Sequence, residues 1–200
     1  MPVTPVDVHL FWNFRSPYAY LASTRLWFLF DDFHTNLVFH PLPGWNGRSA
    51  PERAKKKIPL TRQDVGRHAR RYGIPLNPPP ITTDPTRAAA CALVAMAHGK
   101  TREWVVETMA TEWADGQDIG QIDVLRGIAE RIGVPPDEVE APADDPSVHK
   151  VLQEEHVALK DQLGVMGVPT FVIGEEIFWG NDRIDFVAEP LTELRLRKVR

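Results

Sequence analysis

Ser16 and Pro17 stand where an apolar run gives way to a segment of helical spacing, and a serine in that place can do anion chemistry. The first turn of a helix has unpaired N–H groups and a partial positive potential, so an anion held there gains hydrogen bonds and a favourable dipole. A serine hydroxyl ionises too high to be an easily formed nucleophile, and no base adjoins Ser16. The chemistry within its reach is donation of a hydrogen bond to an anion brought from outside, such as a thiolate. Serine before proline is also the ordinary composition of a plain N-cap, which needs no ligand.

Other residues offer chemistry with a structural alternative beside it. Val168-Pro169 opens an apolar run, and an X-Pro bond there is commonly trans, at the start of an edge strand. Asn181 and Asp182 precede the last helical segment, where they either hold a charged group with the helix N–H groups or simply cap it. Lys55, Lys56 and Lys57 are consecutive: one of them pairs with a carboxylate, or all three form a solvated turn. Trp12, Asn13, Phe14, Arg15, Tyr18, Trp45 and Trp179 are placed to shape an aromatic pocket or to fill a core. Within that set Asn13, Arg15, Tyr18 and Trp45 are the candidate substrate residues, Arg15 for an acidic substrate. The histidines show neither HxxxH nor HExxH spacing, so no metal site is expected.

These residues need elements to position them. Val6 to Phe14 alternates and then turns largely apolar, which predicts a strand buried in a sheet centre. Tyr18 to Phe30 continues as a helix after the Ser16 cap, and Asn36 to Leu42 reads as a second strand. That order implies a right-handed crossover between parallel strands. Pro43 to about Pro80 reads as loop-rich, with one helix from Thr61 to Tyr72 capped by Thr61. Helices are predicted over Thr86 to Gly99, Arg102 to Ala114, Ile122 to Ile132 and Ser147 to Leu163. After Gly164, two short apolar runs around Gly174-Glu175-Glu176 read as an antiparallel hairpin, and Arg183 to about Arg197 as a closing helix.

Composition narrows the function classes. The 200 residues are 43% hydrophobic, enough for one substantial core, and the formal charge of −4 has no long single-sign block. Neither nucleic acid nor a membrane surface is an expected partner. Cys91 is the single cysteine, so no CxxC pair and no intramolecular disulfide is possible, and dithiol oxidoreductase chemistry is not expected. The first residues lack a basic segment followed by an apolar one, and no window approaches ~18 uninterrupted apolar residues, so a cytoplasmic location is expected.

Two stretches carry a family resemblance: S-P-Y-A-Y-L-A at Ser16 to Ala22, and G-V-M-G-V-P-T-F-V-I with F-W-G-N-D-R-I-D-F between Gly164 and Phe186. They resemble the DsbA-like thioredoxin superfamily, in the branch of 2-hydroxychromene-2-carboxylate isomerase and kappa-class glutathione transferase. Lys57, Asp64 and Arg67 are similar in spacing to that family's K-x6-D-x2-R pattern. The chain departs from it at Leu60, where tyrosine is frequent, and at Arg48, near an asparagine that contacts glutathione.

The resemblance implies an α/β chain: a thioredoxin-like domain over 1–43 and 164–200, interrupted by an inserted all-helical domain over 44–163 whose last helix packs back on it. It implies Ser16 in the place of the redox cysteine, donating to the thiolate of glutathione or of another small thiol. Val168-Pro169 is then cis and faces Ser16, with Lys57, Val168, Pro169, Asn181 and Asp182 holding the cofactor. The implied activity is glutathione-dependent isomerisation of an aromatic-derived unsaturated carboxylate. A kappa-like transferase and a non-catalytic thioredoxin-like binding protein are the alternatives. The implied assembly is a homodimer.

Overall fold

Residues 3–44 and 51–198 are described by the computed structural model of the chain, with side chains described from residue 56 in the second stretch. The apolar run after Val6 forms β1 (Val6–Trp12), and the predicted second strand is β2 (Thr35–Pro41), parallel to it from Val6↔Thr35 to Trp12↔Pro41. The hairpin follows as β3 (Thr170–Ile173) and β4 (Glu176–Trp179), antiparallel to one another, with β3 antiparallel to β1. The sheet order is β2-β1-β3-β4. Gly174, at φ +57°, takes the left-handed turn, and Glu176 already pairs with Ile173 as strand.

The helix expected over Tyr18 to Phe30 is two shorter ones, α1 (Pro17–Ser23) and α2 (Phe28–Asp31). Local bonds explain the break: Ser23 Oγ donates to the Tyr20 carbonyl, Thr24 Oγ1 to the Leu21 carbonyl, and Trp27 Nε1 to the Ser23 carbonyl. Such side-chain donors compete with helix continuation. The expected loop after Pro43 is corrected as well. A 22-residue helix, α3 (Pro51–Tyr72), occupies much of it, so Thr61 lies inside a helix and caps nothing. The lysine run and Pro59 suggested a turn, yet an internal proline costs one backbone donor and a local kink rather than the whole helix.

Beyond α3 come α4 (Thr86–Ala97), α5 (Thr101–Trp113), α6 (Ile122–Ile132) and α7 (Pro136–Asp144). The last of these is not among the helices predicted from sequence, and Pro135, Pro136 and Pro142 interrupt its pattern. Pro136 sits in the first turn, where the missing N–H is harmless, and Val139 and Ala143 are buried. The segment Ser147 to Leu163 forms α8 (Pro146–Val151), a π turn (Leu152–Val157) and α9 (Ala158–Gln162), with Asp145 capping Ser147 N at 2.7 Å. The chain closes with a 3₁₀ turn (Asn181–Arg183) and α10 (Ile184–Glu193), ending well before the expected Arg197.

Strand alternation divides β1 between two packing faces. Val8, Leu10 and Trp12 join one continuous core with Ala88, Cys91, Trp104, Leu125 and Ile128 of α4, α5 and α6. Phe11 faces the other way, onto Leu42, Val165 and Val172 with Val157, Leu159 and Leu163 of the π turn and α9 region. The alanines of α4 keep that helix thin, so that it packs closely against α5 and α7. Among the described residues no helix is long and apolar enough to cross a membrane.

Candidate active site at the amino end of the first helix

The loop between β1 and α1 is held from inside. Asn13 is buried, and its Nδ2 donates to the carbonyls of Leu42 (2.9 Å) and Pro43 (3.0 Å), joining the ends of β1 and β2. Its Oδ1 accepts from Arg15 N at 2.9 Å, which turns the chain toward α1. Asn13 therefore works as the brace of the loop, its amide committed to the backbone. Trp113 of α5 adds a second brace, its indole N–H donating to the Phe14 carbonyl at 3.1 Å.

Ser16 leaves this loop in an extended conformation, and its Oγ accepts from Ala19 N at 3.2 Å, as an N-cap. The same hydroxyl donates to the Val168 carbonyl at 3.4 Å, across 152 residues of sequence. The Val168–Pro169 peptide is cis. Pro169 O accepts from Gly180 N at 2.9 Å, which ties this loop to the 3₁₀ turn carrying Asn181 and Asp182. Thus α1, the cis-proline loop and the turn before α10 meet around Ser16.

Asn181 is 3% exposed and its Oδ1 has no hydrogen-bond partner among the described residues. Buried amide oxygens are rarely left so. Asp182 is exposed and accepts from Arg183 at 2.8 Å. Tyr18 points between helices, its hydroxyl donating to Asp64 Oδ2 at 2.9 Å. Burial, then the bond and charge of Asp64, then the charge of Asp182 push the Tyr18 phenol up to about 12, so it stays a neutral donor. Asp64 is thereby the member of the K-x6-D-x2-R pattern that touches α1.

Lys57 is exposed on α3, two turns before Asp64, about 10 Å along the helix. Lys56 and Leu60 are exposed too, and Trp45 and Arg48 lie outside the described residues. Trp12 and Phe14 are wholly buried, so they belong to the core and not to a pocket. Trp179, by contrast, is 53% exposed and lies over Gly167. A Cβ at Gly167 would come within 2.6 Å of the Trp179 indole nitrogen. Gly167→Ala is accordingly expected to push the indole outward, red-shifting tryptophan fluorescence and costing about 1 kcal/mol in thermal unfolding.

Two arrangements escaped sequence reading. The Arg15 guanidinium donates to the Pro80 carbonyl at 3.1 Å, lies 5.3 Å over the Trp113 ring, and approaches the buried Glu112 carboxyl at 3.8 Å. On the opposite sheet face, His9 Nδ1 lies 2.9 Å from His40 Nε2, and His40 Nδ1 lies 3.1 Å from His156 Nδ1. His40 is the middle of a linear chain of three rings, stacked on Phe11 at 4.5 Å. Cys91 is buried against the Val139 carbonyl at 3.4 Å, and burial pushes its thiol up to about 12, away from thiolate chemistry.

The relatives share this build over nearly their whole length. A protein from Sphingobium xenophagum named 2-hydroxychromene-2-carboxylate isomerase is 28% identical over 199 residues, covering 93% of this chain and 98% of that protein. One of the same name from Pseudomonas putida is 26% identical over 197 residues, covering 94% and 95%. A solved 2-hydroxychromene-2-carboxylate isomerase superposes with a TM-score of 0.81 at 23% identity, covering 94% of this chain and 96% of that one. The cytosolic disulfide reductase DsbM from Pseudomonas aeruginosa, solved with GSH, superposes at 0.72 and 17% identity, covering 96% and 100%. Residues 7–192 match the DSBA-like thioredoxin domain. A parallel β-α-β start, a helical middle and a hairpin entered through a cis proline facing the first helix are thus found together, and the chain belongs to the DSBA-like thioredoxin family.

Proposed function

We propose that the chain is a glutathione-dependent isomerase of the 2-hydroxychromene-2-carboxylate type, acting on an aromatic-derived unsaturated carboxylate. The observation that carries this reading is the Ser16 hydroxyl at the amino end of α1, directed across the site at the cis Val168–Pro169 loop. The relatives of that name, at 26–28% identity, support the reaction class. The residues present fit the tripeptide thiol: Ser16 and the α1 N–H groups suit a sulfur anion, and the orphaned Asn181 Oδ1 suits an ammonium or amide donor. Bound there, glutathione would supply a thiolate able to add reversibly to the conjugated system and so lower the barrier to rotation about a double bond.

The chain itself then has three tasks. Ser16 keeps its proton and donates it as a hydrogen bond to the sulfur, exchanging the long Val168 contact for a charge-assisted one. The cis-proline loop offers its backbone beside the tripeptide in the manner of an added strand, and Asn181 with Asp182 holds the charged end. Arg15 attracts the substrate's carboxylate. Titration calorimetry with glutathione tests the reading: native protein is expected to bind, and turnover of the chromene carboxylate is expected to require the thiol. Absence of binding at millimolar glutathione, or equal turnover without any thiol, refutes it.

A further inference from the structure

The charge pattern of α3 differs from that of the rest of the chain. Between residues 56 and 72, six lysines and arginines stand against one carboxylate, Asp64, in a chain whose formal charge is −4. Lys56, Lys57, Arg62, Arg67, Arg70 and Arg71 are all exposed, and among the described residues none of them pairs with a carboxylate. Arg67 reaches only the neutral Gln63 amide, at 3.5 Å. Arginines on other helices sit on acids: Arg87 on Asp144 at 2.7 Å, Arg102 on Asp31 at 2.8 Å and Arg131 on Glu107 at 3.0 Å. Like charges three and four residues apart, as Arg67 is from Arg70 and Arg71, weaken a helix. The helix dipole offsets this only in the last turn, at Arg70 and Arg71. The basic run therefore does not serve the stability of α3 itself.

Its position gives the run another use. Tyr18 meets Asp64, Leu21 packs with Val65 and Ala69, and Arg25 donates to the Tyr72 hydroxyl at 2.9 Å, so α3 lies along α1 and runs in the same direction. The basic face is thus carried beside the helix whose amino end holds Ser16. The carboxylates at this junction have partners of their own: Asp64 has Tyr18, Asp182 has Arg183, and Asp185 has Arg25 at 3.7 Å. We propose that the basic face of α3 is a collecting surface for small organic anions, which speeds their arrival at the amino end of α1. This rests on the proposed function, whose thiol and substrate are both anions, and deepens it by assigning their capture to charges outside the Ser16 cradle. Exposed unpaired charges act over about 8 Å at physiological ionic strength and about 30 Å at 0.01 M. Summed along one face, they steer oppositely charged ligands and change association far more than dissociation.

The test is stopped-flow association of two anions, coumarin-3-carboxylate and glutathione, with the uncharged methyl ester of the coumarin as control. Raising ionic strength from about 10 mM to about 500 mM is expected to slow both anions about 10-fold and to leave the ester unchanged. The sign decides, because a response to the net charge of −4 would make salt speed the anions instead. Arg62→Gln, Arg70→Gln and Arg71→Gln combined are expected to slow the anions about five-fold at low salt and to flatten the salt dependence, with dissociation unchanged. Should the triple variant fail to fold, the salt series on native protein decides alone. Anion association that is flat or faster with salt, an ester slowed as much as the acid, or a triple variant with native rates overturns the inference. Salt-independent capture of both anions sinks this inference alone. A steered acid with no glutathione binding sinks the thiol-dependent function alone, and capture of neither anion sinks both.

Discussion

On the proposed function, Ser16→Ala is expected to lower kcat for the chromene carboxylate by about 100- to 1000-fold, the range lost when one preorganised donor to a developing anion is removed. The same substitution removes an N-cap, whose acceptor bond from Ala19 N is worth about 1 kcal/mol. The two effects separate cleanly: thermal unfolding moves by a few degrees, while turnover almost disappears. Thiolate absorbance titrations test the proposed thiol role: the sulfur of added glutathione is expected to ionise at higher pH with the variant than with native protein. If Ser16→Ala keeps turnover within a factor of a few, Ser16 is a cap and the donor lies elsewhere.

Acid destabilises the fold through His40. Burial, then His156 and His9, hold its imidazole down to about 4 from 6.5, so the native state favours the neutral ring. Between these values the unfolded chain binds the proton more readily, and stability is lost as pH falls. Fully expressed, below the native value, this costs about 3 kcal/mol from the shift cited. Burial also lowers His156, in the same sense. Glu112 works oppositely, because an acid held neutral in the native state loses stability as pH rises above the usual carboxylate range. His40→Phe, which keeps a flat ring against Phe11, isolates the histidine contribution. Urea midpoints at about pH 7 and about pH 4.5 should differ far less in this variant than in native protein, and an unchanged slope would refute the assignment to His40.

How much of this was legible depends on whether the signal was local. The β1-α1-β2 unit and the hairpin are announced by apolar runs and by Ser16-Pro17 and Gly174, punctuation that acts within a few residues. The α7 helix was hidden by prolines, and α3 by a lysine run, because those residues carry the same local signal in a loop and in a first turn. The split between α1 and α2 came from Ser23 and Thr24 bonding back to carbonyls, a competition no periodicity displays. At the site, the pairing of Ser16 with Val168 was legible through the family resemblance, not through spacing. Arg15 was singled out, but its partner was not: Glu112 looks like Glu107 in sequence, and burial separates them. The histidine chain joins residues 31 and 116 positions apart, so no spacing rule could have found it.

The core that runs from β1 into α4, α5 and α6 bears on how the chain behaves as a whole. Leu10 and Trp12 have Ala88 and Trp104 in their own cluster, so cutting out the helical stretch would lay bare the central strand. The stretch is inserted in sequence but not detachable in substance. Sheet and helices must melt together, as one cooperative unit, and a hinge between them would have to tear the interior it moves. Access to Ser16 is thus left to loops and side chains, with the scaffold beneath them staying still.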